Sequence, residues 1–212
     1  MPTPVRLDLR KELRHLYAPS ASQVEVVEVP AFNFLMLDGK IEPEMAPDTS
    51  PAYRNAIGAL YSMSYTLKFM SKLSKAEPID YKVMALEGLW WTDSGEFSVH
   101  RKDELRWTMM MLQPSHISDE MVKEALERAK AKDENPALEL VRFEEFEEGL
   151  CMQIMHIGPY AEEARTVEKM MAFAKENGYE LRGKHHEIYL GDPRRSKPDR
   201  LKTILRYPIK KR

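Results

Sequence analysis

A single cysteine, Cys151, in 212 residues excludes an internal disulfide and any metal site built from several thiolates, and it fits a reducing compartment. No apolar stretch approaches the roughly 20 residues of a membrane span. The opening Met1-Pro2-Thr3-Pro4 has no hydrophobic signal core, so the expected location is the cytoplasm, with no membrane partner. Neither sign of charge is in excess: 32 basic residues face 34 acidic ones, which leaves no global field to gather nucleic acid. A glycine-rich phosphate loop and a Gly-x-Ser-x-Gly elbow are both missing. The histidines show no ligand spacing, because His185 and His186 are adjacent and point to opposite sides of a strand, while His100, His116 and His156 stand apart. No metal and no cofactor are therefore expected.

What remains is a hydrophobic content of 43% and an aromatic content of 9%, enough for a sizeable core in one large domain or two fused small ones. The 14 methionines crowd into Met109-Met110-Met111, Met152, Met155, Met170 and Met171. Flexible thioethers fill core gaps and also line adaptable pockets. Cys151, inside the apolar run 150–157, reads as a small core residue. The basic run Arg194, Arg195, Lys197, Arg200 and Lys202 is broken by Ser196, Pro198 and Asp199 and reads as a solvated loop.

Periodicity and turn residues divide the chain. Strands are predicted at 24–29 and 32–37, joined at Pro30-Ala31. A proline-bearing loop with Pro43, Pro47 and Pro51 follows, and Ser50-Pro51 opens a helix running to about residue 75. Strands are expected at 81–91 and 105–112, with a turn at Thr92-Asp93-Ser94-Gly95 between them. A charged helix over 121–132 begins at Ser118 and stops before Asn135-Pro136. A hairpin at 140–146 and 150–157 then leads through Gly158-Pro159-Tyr160 into a helix over 161–177, capped by Gly178, and strands at 185–190 and 203–207 complete the chain.

Both halves thus run strand, strand, helix, strand, strand. The pseudo-repeats span about 20–113 and 140–208, with a helical insertion at about 118–138, within one domain over 1–212. The expected architecture is α+β: an antiparallel sheet with pseudo-twofold symmetry, helices on one face and a central ligand cleft. Aligning Gly88 with Gly191 sets Met84 opposite Glu187.

The segment from His185 to Pro193 puts an ionisable acid inside an apolar strand. Alternation sends Glu187 and Tyr189 to one face and His186, Ile188 and Leu190 to the other. A carboxylate there must find a partner, reach water or shift its pKa upward. By itself the segment also fits an edge strand with a solvated Glu187. The acids Glu144, Glu145, Glu147 and Glu148 read as a solvated hairpin, lacking the apolar setting of a raised-pKa acid.

Two motifs, Met155-His156-Ile157-Gly158-Pro159-Tyr160 and His186-Glu187-Ile188-Tyr189-Leu190-Gly191-Asp192-Pro193, resemble those of the GyrI-like family in order and spacing across residues 20–208. The family's small-molecule-binding domains occur alone or fused to bacterial multidrug-sensing regulators. The resemblance implies an aromatic-lined pocket around a central acid, which falls on Glu187, with Tyr189 beside it. The regulators carry a helix-turn-helix module before the sensor, and about 20 residues precede the first strand here, so no direct nucleic-acid binding is expected. The helical insertion resembles stand-alone members, among them hydrolases that open the cyclopropane ring of DNA-alkylating cyclopropanoid natural products.

On that reading Glu187, its pKa raised by burial, takes a proton from water attacking a strained cyclopropane, while aromatic walls hold the ring and a tyrosine donor, Tyr189, stabilises the phenolate that forms. The candidate walls are Tyr61 and Tyr65, four apart on one helix face, with Trp90, Trp107, Met109 and Met155. Trp90 and Trp91 point to opposite faces, and any one of these side chains also fits the core. Two other functions stay open: a multidrug-binding or sequestering protein without chemistry, and a partner of DNA gyrase, after the family's name-giving inhibitors.

Overall fold

The computed structural model describes residues 3–42, 44–92 and 105–212. Pro43, His100 and the Asp93-Ser94-Gly95 part of the predicted turn lie outside the described residues.

In chain order the elements are β1 (Val5–Leu7), α1 (Leu9–Glu12), α2 (Arg14–Tyr17), β2 (Glu25–Val29), β3 (Phe32–Lys40), α3 (Pro51–Lys72), β4 (Ile79–Tyr81), β5 (Leu86–Thr92), β6 (Leu105–Gln113), α4 (Asp119–Lys130), β7 (Arg142–Phe146), β8 (Gly149–Ile157), α5 (Glu163–Glu176), β9 (Tyr179–Leu181), β10 (His185–Tyr189) and β11 (Lys202–Lys211). Ser50 caps α3 by accepting from the Tyr53 amide ahead of Pro51, and Ser118 caps α4 through the Met121 amide.

The fold is α+β. One large antiparallel sheet runs β2-β8-β11-β10-β5-β6-β3-β7, open at both ends, with β9 paired to β11. This order is a palindrome of the two halves: β10 pairs with β5 at the centre, and the leading strand of each half pairs with the second strand of the other.

Alternation along the strands sorts side chains into two layers. On one face, Leu35, Leu37, Trp107, Met109 and Met111 pack under α3, and Met152, Ile154, Leu205 and Tyr207 pack under α5. On the other, Phe34, Met36, Met110, Ile188 and Ile204 are covered by Leu9, Leu13, Leu16 and Tyr17 of the N-terminal segment. In that segment α1 and α2 are four residues each, too short for helical periodicity to show in the sequence. The predicted strand over 81–91 divides into β4, which pairs in parallel with β1, and β5. Met84, the counterpart of Glu187 in the repeat alignment, precedes β5 and joins the core under the N-terminal segment; the strand partner of Glu187 is Gly88.

Candidate active site

β10 occupies the centre of the sheet, so its side chains emerge on one face between α3 and α5. Glu187 stands there at 9% exposure. Tyr189 donates its hydroxyl hydrogen to Glu187 Oε2 over 2.8 Å, and the Trp90 indole N–H donates to the Tyr189 oxygen over 2.9 Å. His185 Nε2 lies 3.0 Å from Glu187 Oε1. The acid of the apolar strand thus finds partners, two of them from its own strand at i±2, the spacing that alternation places on one face.

Aromatic rings close around this group. Tyr53, in the first turn of α3, packs on Trp90 and Trp107 with ring centroids 5.7 Å from each. Tyr160 meets Tyr189 edge to face at 5.9 Å, and Tyr207 lies 4.7 Å from the His185 ring. Burial and the Glu187 charge push the Tyr53 and Tyr189 hydroxyls far up. Burial, then the charges of Glu163 and Glu187, put Tyr160 at about 12.

A second carboxyl faces Glu187. Glu163 opens α5 just after Gly158-Pro159-Tyr160 and is 4% exposed. Its Oε1 has no hydrogen-bond partner among the described residues, and the Thr203 hydroxyl lies near enough to the carboxyl to lower it slightly. Burial first, and then the charge of Glu187, raise the Glu163 carboxyl to about 9. The positive end of α5 favours an ionised Glu163 by at most about 2 kcal/mol, too little to offset both. Glu163, His185 and Glu187 each bring a ligand-type atom within 4.8 Å of the others. The His185–Glu187 contact and the Tyr189 bond occupy both Glu187 oxygens, while Glu163 stands beside them.

Beside the cluster a cavity of about 670 Å³ opens between α5 and the start of β10, walled by Trp90, Trp91, Met171, Lys184, His185 and Tyr207. Its size lies within the range of small-molecule pockets. It meets the acid cluster through His185 and Tyr207.

The opposite face carries a different polar group. His186 contacts Glu148 Oε2 at 2.9 Å and Glu87 Oε2 at 3.0 Å, Arg206 donates to Glu148 over 3.1 Å, and Tyr17 donates to Glu87 over 2.7 Å. Burial alone would raise Glu148, but His186 and Arg206 outweigh it and hold the carboxyl at about 2. Burial alone would lower His186, but Glu148 and Glu87 hold it at about 9. Glu148 is therefore not part of a solvated hairpin. Gly149, at φ 65°, turns the chain so that the preceding acid enters the interior, where two cations meet it.

Among the residues singled out by sequence, the structure brings Glu187, Tyr189 and Trp90 together. Trp107 is fully buried across the bare Cα of Gly39, and Met109 lies over Gly88. Tyr61 and Tyr65 are half-exposed on α3 and stack on each other at 6.3 Å. Met155 belongs to the other face, with Ile188 and Ile204. Sequence reasoning passed over Tyr53, Glu163, His185 and Tyr207. The i±2 rule applied to Glu187 would have found His185; the others are joined to it only by tertiary packing.

A model of the GyrI-like small molecule binding domain matches residues 22–210. The chain belongs to the GyrI-like family. Three solved structures from Listeria innocua resemble this GyrI-like protein over their full lengths. An uncharacterized conserved protein has 38% identity, covers 96% of this chain and gives a TM-score of 0.86. Two described as hydrolases have 37% identity, cover 96% and 97% of this chain and give TM-scores of 0.82 and 0.84. No curated protein matches the sequence. Among the described residues, no helix of this GyrI-like protein is long and apolar enough to cross a membrane.

Proposed function

We propose that this GyrI-like protein binds flat, hydrophobic small molecules beside Glu187 and hydrolyses the strained ring of cyclopropanoid DNA alkylators, a detoxifying reaction. The observation that carries this reading is the Glu187 carboxylate, fixed by Tyr189 and His185 and enclosed by Tyr53, Trp90, Tyr160 and Tyr207. Full-length similarity to two proteins described as hydrolases supports the choice of reaction class.

In the reaction, a water oxygen bonds to the cyclopropane methylene. The ring bond breaks, its electron pair enters the conjugated ring, and the dienone oxygen becomes a phenolate. The water proton passes to Glu187 as general base. Restored aromaticity supplies the driving force, so the protein contributes orientation and acid–base help. Tyr189 engages its hydroxyl hydrogen in a bond to Glu187 and serves to aim the base.

The test is incubation with a cyclopropanoid alkylator, following addition of water by mass spectrometry, in wild type and Glu187→Gln. Turnover in the wild type that is lost in the variant supports the proposal. Binding without turnover leaves a drug-binding or sequestering protein, with Glu187 in recognition.

A further inference from the structure

Ring opening needs a donor for the phenolate oxygen as well as a base for the water. Tyr189 is committed to Glu187, which leaves that donor unassigned. Two carboxyl groups buried side by side cannot both ionise, because the second charge meets the first in a medium that screens poorly; such pairs hold one proton and divide acid and base duties between them. Hydrogen bonding decides where the proton sits. Glu187 accepts from Tyr189 through Oε2, and its Oε1 lies 3.0 Å from His185 Nε2, so with the imidazole proton on Nε2 both oxygens are supplied with donors, as an ionised carboxylate requires. Glu163 is buried more deeply still, and its Oε1 has no hydrogen-bond partner among the described residues. A neutral carboxyl tolerates that position, whereas a charged one would be left uncompensated.

We propose that Glu163 is the acid of this site and Glu187 its base, the two sharing a single proton. The catalytic part of this assignment rests on the hydrolase reading above. The groups facing Glu163 are Glu187 and His185 of β10, the hydroxyls of Tyr160, Tyr189 and Tyr207, and Thr203. None of these is a fixed cation that would hold Glu163 ionised. The raised titration of Glu163 agrees with the assignment.

In the cycle, Glu187 takes the proton of the attacking water and Glu163 gives its own proton to the dienone oxygen as the cyclopropane bond breaks. One water is consumed, and an alcohol and a phenol form. Transfer of the proton from Glu187 to Glu163 restores the starting state with no oxidant, reductant or further reactant.

The experiment combines infrared spectroscopy with kinetics on the full chain. At neutral pH the wild type should show the carbonyl band of a protonated, buried carboxyl group, lost in Glu163→Gln. Hydrolysis of a cyclopropanoid alkylator should fall by roughly 100-fold or more in that variant, while affinity for the ring-opened product is kept. The high-pH limb of the wild-type rate profile, where Glu163 ionises, should disappear. A wild type without the band, a band that persists in Glu163→Gln, or a variant hydrolysing at the wild-type rate would each overturn the assignment. If the wild type turns over nothing and the band is lost in Glu163→Gln, the hydrolase reading and the acid role both fall, and the shared proton is supported.

Discussion

Gly88 is the strand partner of Glu187 across the central β5–β10 pair, and its missing side chain is what lets the site close. A Cβ there would lie 2.4 Å from the Met109 methyl, 2.9 Å from the Trp90 indole nitrogen and 3.2 Å from the Tyr189 hydroxyl. Methionine can swing away; the indole is held by its bond to Tyr189. Gly88→Ala should cost about 1–3 kcal/mol of stability through overpacking and weaken ligand binding. Thermal unfolding and a tryptophan-fluorescence titration with the ring-opened product measure both. An unchanged protein would refute this account of Gly88.

Tyr189→Phe removes one donor from Glu187 and strands the Trp90 N–H in a buried position. The expected loss is about 1–3 kcal/mol for the orphaned donor. Misaiming the base should also slow hydrolysis by up to roughly 100-fold. The rate should fall more than the affinity does, which steady-state kinetics resolve.

Glu148→Gln leaves His186 and Arg206 buried together without their shared counter-charge. Breaking a buried ion cluster by removing one partner costs about 3–5 kcal/mol, and the urea midpoint should fall accordingly. Glu145→Gln, on the exposed side of the same hairpin, should leave it unchanged within about 0.5 kcal/mol.

Stability should depend on pH in a way that identifies these groups. Glu163 has its folded pKa raised from 4.5 to about 9, so the folded protein holds a proton that the unfolded chain has released. Its contribution is fully present below 4.5 and is lost as pH rises through 9. His186, raised from 6.5 to about 9, adds a loss between those values. Glu148, lowered from 4.5 to about 2, stabilises above 4.5 and is lost as pH falls through 2. The thermal midpoint of Glu163→Gln should therefore gain on wild type steadily from pH 5 to pH 9. Parallel curves would refute the placement of the proton on Glu163.

Strand periodicity, the caps at Ser50 and Ser118 and the Gly158-Pro159-Tyr160 turn made the elements and their duplicated order legible, because each rests on local chemistry. Alternation also placed Glu187 and Tyr189 together. It could not find Tyr53 or Glu163, which reach Glu187 from two different helices through tertiary packing. Nor could it recognise Glu148 as an interior acid, since the cations that stabilise it lie on β10 and β11. Glu163, whose carboxyl is raised, stands at the start of a helix whose charged surface looks ordinary in sequence.

The exchange of leading strands has a kinetic meaning. β2 waits for β8, and β7 returns to β3, so neither half completes its own sheet edge before the other has been made. Such long loop closures are slow, and they must precede the packing that rewards them. A ribosome-bound first half exposes the edge that β7 will later cover, together with the β5 edge destined for β10, both open to pairing with other chains. Refolding at high concentration should therefore yield exchanged dimers, in which the leading strand of one molecule completes the sheet of another.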